Sequence, residues 1–426
     1  MCRLFLFLLL LPLCLRAGEA PLFRDFVGLC GHTVQFKPDL YKPVCRVVRD
    51  YHPVQWDLEK DTSVLPDWPF AKNKVSWEHV YGSWHKAGLR TSACLMIDEM
   101  QKTWKDMPKD ARAYAKSFAE QFGPGGKYPF VEWVEIGNEP GLYDDASYRT
   151  LFEAMAKGIR EGNPRMKILP CNTEMKSDRY WKGVDCLKGF DDLYDALQIH
   201  RYAIAEGWPV WRRSYPEDAK VPYLSAIQDL INWRDAHAKG KPVWVTEFGW
   251  DSSTKKPDPK GEWAKWIGST DEEQARWTVR SFFIFARMGV EKAFVYFFND
   301  GDEPKLHSAS GLTRNFQPKP AYHAVAWMLR SLADYRFSRV LREGMEDGYV
   351  FEFIPEKKDQ PVILAAWHPT KEGVELKVDA GERKCVRAER MPLNKDAAEA
   401  VPVKTTDGHF VFTGGEKPVL LWLESP

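Results

Sequence analysis

The sequence has no excess of charge of either sign. Its 426 residues include 60 Lys plus Arg and 60 Asp plus Glu, so the formal net charge is zero. A nucleic-acid-binding protein needs a basic surplus to displace counterions, and a disordered chain is usually strongly charged and poor in apolar residues. The 44% share of hydrophobic residues instead indicates a globular protein with a substantial core and no nucleic-acid partner.

Cysteine is scarce, and its spacing matches no metal motif. Two of the eight cysteines, Cys2 and Cys14, lie within the first 20 residues. The other six are too few for a disulfide framework in a chain of this length. They are Cys30, Cys45, Cys94, Cys171, Cys186 and Cys385. With no C-x-x-C or H-E-x-x-H motif, we predict no metal and no other cofactor. Buried free thiols are expected, and Cys171 with Cys186 is the first pair to test for a bridge.

Only one long apolar run occurs, and it lies at the N terminus. It covers residues 4–15 after Arg3 and is too short to span a bilayer. Gly18-Glu19-Ala20 follows with small residues at the spacing of a signal-peptide cleavage site. We therefore predict that residues 1–20 are a secretory signal and that the mature protein is secreted or periplasmic, with no membrane segment. The alternative is an uncleaved anchor.

Between residues 21 and about 333, short apolar runs rich in β-branched residues alternate with stretches of helical period. The predicted strands are Phe26–Gly31, Val44–Arg49, Arg90–Ile97, Val131–Gly137, Lys167–Pro170, Ala196–His200, Pro242–Phe248 and Lys292–Phe298. The predicted helices are Trp77–Ala87, Lys109–Phe122, Ala146–Glu161, Tyr223–Ala238, Asp271–Met288 and Pro320–Leu332. Eight such units predict an α/β fold, a (β/α)8 TIM barrel whose parallel strands are buried on both faces. A doubly wound sheet is the rival, but no strand leads into a G-x-G-x-x-G turn.

The pattern changes after about residue 333, where five short runs alternate apolar and polar residues between turn residues. They are Tyr349–Ile354, Pro361–Trp367, Val374–Val378, His409–Thr413 and Val419–Leu423. Such runs are typical of a small antiparallel β-sandwich. The predicted organisation is a signal over residues 1–20, a catalytic barrel over 21–333 and an accessory β-sandwich over 334–426.

Two glutamates stand where predicted strands open into loops. Glu139 follows strand four in the sequence IGNEP, and Glu247 ends strand seven in VTEFG. A carboxylate at the end of an apolar strand is costly unless it is paired, and barrel enzymes place their chemistry at these carboxyl ends. Cleavage of a glycosidic bond is commonly catalysed by two carboxyl groups that face each other, one protonated and one ionised. For either glutamate alone, a structural salt bridge at the barrel rim is the alternative role.

These residues resemble the clan A glycoside hydrolases, also called the four/seven superfamily, which are retaining (β/α)8 barrels that include β-xylosidases and cellulases. The resemblance implies that Glu139 is the acid/base, that Asn138 binds the sugar 2-hydroxyl and that Glu247 is the nucleophile. It also implies that Tyr202, beyond strand six, hydrogen-bonds the nucleophile. Arg49, at the end of strand two, would hold Glu247 ionised through a charge-assisted contact.

The sequence departs from the family pattern at strand eight. Many members carry a Trp directly after this strand, whereas residues 297–300 read FFND. Trp250 and Trp56 are the candidates for the ring that stacks on the sugar. His52 lies where some members place a histidine that contacts substrate. His200, at the end of strand six, either orients sugar hydroxyls or has a structural role.

Three acidic residues and four tryptophans are weaker candidates. Glu135 lies four residues before Glu139 on the same side of its strand, which places it inside the barrel, one layer below the mouth. Asp98 and Glu99 follow strand three and either line a cleft or cap the next segment. Four tryptophans lie in loops after strands six and seven, where they either stack on sugar or pack locally. They are Trp208, Trp211, Trp263 and Trp266.

Together these features predict a secreted retaining glycoside hydrolase that cleaves β-glycosidic bonds in a glycan or glycoside by double displacement. Its partner would be a carbohydrate substrate. The alternative is a catalytically silent carbohydrate-binding barrel, which the presence of both Glu139 and Glu247 disfavours. A metal-dependent barrel hydrolase would need a His-x-His at the end of strand one, where Gly31-His32 offers a single ligand.

Overall fold

The structure is a computed structural model that describes residues 19–32, 37–379 and 381–424. Residues 1–18 of the predicted signal lie outside the described residues, so the signal stays a prediction. None of the helices in the described ranges combines the length and the apolar character needed to cross a bilayer.

Eight parallel strands form the central sheet. They are β1 Val27–Gly31, β2 Val47–Pro53, β3 Arg90–Met96, β4 Val131–Ile136, β5 Lys167–Leu169, β6 Leu197–His200, β7 Val243–Phe248 and β8 Lys292–Val295. Their spatial order is β5-β4-β3-β2-β1-β8-β7-β6. At the seam between β5 and β6, the amide of Asp195 donates to the carbonyl of Ile168 at 2.7 Å. This nearly closed barrel confirms the predicted fold class.

Helices cover the outside of this barrel. They are α1 Phe23–Phe26, α2 Pro38–Tyr41, α3 Val54–Leu58, α4 Trp77–Lys86, α5 Met107–Phe122, α6 Asp145–Gly162, α7 Leu224–His237, α8 Asp271–Arg287 and α9 Pro320–Leu332. The six predicted helices are present, each within two residues of its predicted bounds. Side-chain caps account for the sharp starts: Thr270 and Glu273 form a capping box at α8, and Asp144 accepts from the amide of Ser147 at α6.

Strand β2 begins and ends later than the sequence pattern predicted. Val44 and Cys45 belong to the turn after α2, because their amides donate to the carbonyl of Tyr41 at 2.9 and 3.0 Å. The strand therefore continues to Pro53, and Arg49 lies in its middle. Since side chains alternate along a strand, Arg49 and Tyr51 face the barrel interior, whereas His52 faces the helix layer.

The interior of the barrel is filled in layers. An apolar cluster fills much of it, contributed by Cys30, Val47, Trp133, Leu169, Ala196, Trp244, Phe294 and Phe297. Along β2 and β4, the next inward-facing residues are Arg49 and Glu135, which are both fully buried. The barrel is thus a packed core that supports its carboxyl-terminal face, and it has no open channel in this part.

The C-terminal part forms two antiparallel sheets. Their strands are β9 Tyr335–Gly344, β10 Gly348–Pro355, β11 Val362–Trp367, β12 Val374–Asp379, β13 Lys384–Arg390, β14 Glu399–Ala400, β15 Lys404–Thr406, β16 His409–Gly414 and β17 Val419–Glu424. One sheet has the order β9-β10-β11-β17-β13-β14 and the other β12-β16-β15. The five predicted strands are present. Strands β9 and β13 escaped prediction because charged residues interrupt their apolar pattern and most of their residues are partly or fully exposed.

A buried ion pair ties these sheets to the barrel. Arg280 on α8 is fully buried, and its Nε donates to Glu217, in the loop after β6, at 2.8 Å. The indole Nε1 of Trp367 on β11 donates to the same carboxylate at 2.7 Å. The contact supports a packing role for the C-terminal sheets, and the proposed boundary near residue 333 falls between α9 and β9.

Candidate active site

A cleft of about 490 Å³ opens at the carboxyl-terminal ends of the barrel strands. Its lining residues come from the ends of strands or from the segments that follow them, including helix α3. They are His32, Tyr51, Pro53, Trp56, Met96, Asn138, Glu139, Glu247, Tyr296 and His307. Four residues named from the sequence are among them: Trp56, Asn138, Glu139 and Glu247.

Glu139 and Glu247 face each other in the cleft. One carboxylate oxygen of each lies within 4.8 Å of the other. Glu247 is buried, with 5% of its surface exposed, whereas Glu139 is only partly buried. A glycosidase that retains configuration needs two carboxyl groups about 5–5.5 Å apart, since wider pairs leave room for a water molecule. The spacing between the carboxylate oxygens of Glu139 and Glu247 matches the shorter of these two distances.

Three donors surround the carboxylate of Glu247. Arg49 Nη1 lies 2.9 Å from Oε1, the hydroxyl of Tyr51 donates to Oε1 at 2.6 Å, and the hydroxyl of Tyr202 donates to Oε2 at 2.8 Å. Burial alone would raise the pKa of Glu247, but the neighbouring His200 and Arg49 and the two hydroxyl groups outweigh burial and lower it to about 2. Glu247 is therefore ionised across the physiological pH range.

Arg49 organises the site from below the cleft. It is fully buried. Its Nε donates to Glu135 at 2.8 Å. Its Nη2 donates to Asn138 Oδ1 at 2.9 Å and lies 3.3 Å from Cys94 Sγ. An arginine only donates, so the atom of Asn138 that it contacts is the oxygen, and the NH2 of Asn138 is left to donate into the cleft. All of these partners are protein groups. The structure thus places Arg49 as a positioning residue and not among those lining the substrate cleft.

His200 connects Arg49 to Glu139. Its Nε2 lies 3.4 Å from Arg49 Nη2, and its Nδ1 lies 2.9 Å from Glu139 Oε1. Nδ1 also lies 3.6 Å from Glu247 Oε2, so the ring stands between the two carboxylates. The donor atoms of Glu139, His200 and Glu247 are close enough to hold a cation. Both ring nitrogens of His200 also lie within 3.4 Å of protein groups.

Gly137 lets the chain turn from β4 to the mouth of the barrel. Its φ is +92°, a conformation that residues with a Cβ rarely adopt. A Cβ there would also lie 3.2 Å from Ile97 and 3.3 Å from Cys171. The turn is fixed on its other side, where the amide of Asn172 donates to the carbonyl of Asn138 at 3.1 Å. The strand thereby ends with Asn138 and Glu139 at the cleft.

Comparison with known proteins gives the fold. No protein-family model and no curated protein matches the sequence. A family 39 glycoside hydrolase from the gut symbiont Bacteroides cellulosilyticus WH2 aligns with a TM-score of 0.70 and 20% identity, over 95% of this chain and 81% of that one. A glucosidase from Croceicoccus marinus gives 0.65 and 11%, and a bifunctional glucanase-xylanase from a metagenome library gives 0.63 and 12%, each over 96% of this chain and 98% of the other. The chain shares the fold of these glycoside hydrolases.

Two residues predicted to bind substrate do not reach the cleft. His52 is fully buried on the helix side of β2, where its Nε2 lies 2.6 Å from Asp57 and its ring stacks on Trp77 at 3.7 Å. Trp250 is also fully buried, and its Nε1 donates to the carbonyl of Ser214 at 2.8 Å. The structure corrects both assignments: these side chains pack in the core.

The weaker candidates also lie outside the cleft lining. Asp98 begins a short 3-10 helix together with Glu99, and its carboxylate accepts from the amide of Leu142, in the loop after β4, at 2.8 Å. Glu135 lies inside the barrel, as its position on the strand predicted. None of the four loop tryptophans lines the cleft: Trp208, Trp211, Trp263 and Trp266. Trp208 is 57% exposed and packs edge-to-face on Trp263.

Three aromatic lining residues were not found from the sequence. Tyr51 was missed because β2 was predicted to end at Arg49. Tyr296 follows β8 directly, and the predicted strand ran past it to Phe298, so the aromatic residue at this strand end was overlooked. His307 comes from the loop after β8 and carries no local signal. All six cysteines in the described ranges are free thiols, including Cys171 and Cys186.

Removing one hydroxyl donor from Glu247 should move the acid limb of the pH profile. Tyr202 donates to the ionised carboxylate, so Tyr202→Phe destabilises that form and raises the pKa of Glu247 from its value of about 2. A hydrogen bond to a charged group contributes about 1.5–3 kcal/mol, which corresponds to roughly one to two pH units. We expect the acid limb of kcat/KM, measured on an aryl glycoside, to move to higher pH by that amount.

Tyr180→Phe is the matched control for this shift. Tyr180 is 46% exposed and lies outside the cleft lining, so its removal should leave the acid limb in place. An acid limb that stays at its wild-type position in Tyr202→Phe would contradict the role of this hydroxyl in holding Glu247 ionised.

Proposed function

We propose that the protein is a retaining glycoside hydrolase that cleaves β-linked glycosides. The observation that carries the proposal is the pair of Glu139 and Glu247, with carboxylate oxygens within 4.8 Å, at the mouth of a barrel with the clan A fold. Glu247 is ionised and held by three donors, which suits a nucleophile. Glu139 is the more exposed of the two and has His200 beside it, which suits a group that exchanges protons with a leaving group and with water.

The proposed reaction has two displacement steps. In the first, a carboxylate oxygen of Glu247 attacks the anomeric carbon while Glu139 transfers its proton to the departing glycosidic oxygen, which leaves as an alcohol. In the second, Glu139 removes a proton from water, and the water oxygen displaces Glu247 from the anomeric carbon. Two inversions give net retention. The free NH2 of Asn138 would donate to the sugar 2-hydroxyl.

The cleft favours an uncharged sugar. Among the described lining residues there is neither lysine nor arginine. Residues 33–36, which follow His32 in the chain, have the sequence TVQF and include no charged residue. Burial lowers the pKa of His32, and burial together with Arg213 lowers the pKa of His307 to about 4, so both rings are neutral near pH 7. A uronic acid would bring a carboxylate into this cleft, where the described lining residues offer no cation to bind it.

The catalytically silent carbohydrate-binding barrel remains the second candidate from the sequence. Sugar binding alone does not require Arg49, Tyr51 and Tyr202 to donate to Glu247. A nucleophilic Glu247 does require such donors, because they keep it ionised. Secretion rests on the predicted signal over residues 1–20 and is proposed together with the activity.

A panel of aryl β-glycosides tests the proposal. We expect turnover of at least one neutral member, such as the glucoside, xyloside, galactoside or mannoside, and none of the glucuronide. Proton NMR in the first minutes should detect the β-anomer of the released sugar before mutarotation. Appearance of the α-anomer first would contradict retention. Binding of oligosaccharide without release of reducing ends would support the silent barrel.

A further inference from the structure

The imidazole of His307 is held in one tautomer. Its Nδ1 lies 3.2 Å from Nη2 of Arg213, which comes from the loop after β6. The guanidinium can only donate, so Nδ1 is the acceptor, and the proton of the neutral ring resides on Nε2. Arg213 is itself fixed, because Nη1 donates to the carbonyl of Gly249 at 2.6 Å and Nη2 lies 2.9 Å from Asp251.

The surroundings of His307 keep the ring neutral. Burial is the largest cause that lowers its pKa, and the charge of Arg213 and the neighbouring His200 act in the same direction. Asp251 and Glu247 oppose them, and the net result is a pKa of about 4. Near neutral pH the ring therefore carries one proton, on the nitrogen that Arg213 does not contact.

Two tyrosines fix the position of this ring in the cleft wall. Its centroid lies 4.5 Å from that of Tyr202 and 5.9 Å from that of Tyr296, both in edge-to-face contacts. Tyr202 is the residue that hydrogen-bonds Glu247, so His307 stands next to the sugar that Glu247 would attack. Within the described ranges, no protein group accepts a hydrogen bond from Nε2 of His307, although the residue lines the cleft.

We propose that Nε2–H of His307 donates a hydrogen bond to a hydroxyl oxygen of the sugar bound beside Glu247, and that His307 is a specificity-determining residue. The inference rests on the proposed function and extends it to a single contact. A ring locked as a donor requires an acceptor on the ligand. A sugar that lacks the hydroxyl leaves this N–H desolvated and unpaired, which is the kind of penalty that gives strong discrimination.

The test combines substrates and variants that each remove one side of the contact. Wild type, His307→Phe and His307→Gln are compared on the best aryl β-glycoside and on its monodeoxy analogues. His307→Phe keeps a ring but has no N–H, and we expect kcat/KM on the parent glycoside to fall roughly tenfold to a hundredfold. One deoxy analogue lacks the hydroxyl that accepts from His307. On that analogue, wild type and His307→Phe should have nearly equal kcat/KM. His307→Gln, which can donate through its amide, should restore part of the loss on the parent.

Two controls separate this role from a structural one. His323→Phe removes a histidine on α9 that does not line the cleft. It should leave kcat/KM unchanged on the parent glycoside and on every deoxy analogue. The acid limb of the pH profile should stay in place in His307→Phe, since Tyr202 still donates to Glu247. The proposal is overturned if His307→Phe lowers kcat/KM by the same factor on the parent and on every deoxy analogue.

Measurements without turnover distinguish this proposal from the proposed function. The 15N shifts of the His307 ring should report protonation on Nε2 in wild type, and Arg213→Met should release the ring to a mixture of tautomers. Binding of a non-hydrolysable thioglycoside should weaken in His307→Phe and not in His323→Phe. Suppose that thioglycoside binding weakens in His307→Phe and not in His323→Phe, but wild type hydrolyses no glycoside. The proposed catalysis then fails while the contact stands. If the wild-type ring is protonated on Nδ1, the contact fails whatever the activity.

Discussion

Replacement of Glu247 by alanine is expected to lower kcat/KM on aryl β-glycosides by roughly ten-thousandfold or more. The variant has no group to attack the anomeric carbon, and loss of a nucleophile is among the largest single effects in enzymes that form covalent intermediates. The substitution also leaves Arg49, Tyr51 and Tyr202 as donors aimed at an empty space. These donors form a site for a small anion.

Added azide should therefore restore part of the activity of Glu247→Ala. The anion would occupy the place of the missing carboxylate, attack the anomeric carbon in a single displacement and give the α-glycosyl azide, whose configuration is opposite to that of the substrate. The product is identified by proton NMR.

Glu132→Ala is the matched control for Glu247→Ala. Glu132 lies on β4, its side chain is 41% exposed, and it pairs with Arg90 near the amino-terminal end of the strand. This variant should keep nearly wild-type kcat/KM and show no response to azide. Full activity of Glu247→Ala would show that the nucleophile is another group.

The two glutamates were predictable because their signal is local. Each follows a run of apolar residues long enough to define a buried strand, and the order of the strands in the chain assigns them to the fourth and seventh positions of the barrel. The position of a glutamate at the end of such a strand then requires no knowledge of distant contacts. The same reasoning placed Glu135 inside the barrel.

The residues around β2 show where a local pattern fails. The sequence pattern ended the strand at Arg49, which left His52 in a loop free to meet substrate. The structure extends the strand to Pro53, and the alternation of side chains then decides which face each residue occupies. Tyr51 turns into the cleft and His52 turns away from it. An error of a few residues in a strand boundary thus exchanges a residue of the site for a residue of the core.

His307 was beyond sequence reasoning for a different reason. It lies in an irregular loop, and its place depends on Arg213 and Asp251, which come from the loops after β6 and β7. Contacts of this kind join segments far apart in sequence that have no periodicity of their own. The fold brings these loops to one end of the barrel, and only the structure reveals which side chains meet there.

Replacement of Glu139 by alanine should give an effect that depends on the leaving group. For glycosides with poor leaving groups, kcat/KM should fall by roughly a hundredfold to ten-thousandfold, because the departing oxygen is no longer protonated. A dinitrophenyl glycoside needs no such help, so its first step should remain near the wild-type rate. The second step should become slow, since no base activates water, and a glycosyl-enzyme on Glu247 should accumulate as a burst of dinitrophenol.

Azide separates the roles of the two glutamates by stereochemistry. In Glu139→Ala the anion would attack the intermediate on Glu247, so the product should be the β-glycosyl azide with the configuration of the substrate. In Glu247→Ala the same reagent should give the α-azide. Opposite products from two variants of one cleft follow only if Glu247 bonds to the sugar and Glu139 handles the protons. The same anomer from both variants would contradict the assignment, and loss of activity in Glu139→Ala on all leaving groups alike would indicate that Glu139 has no acid role.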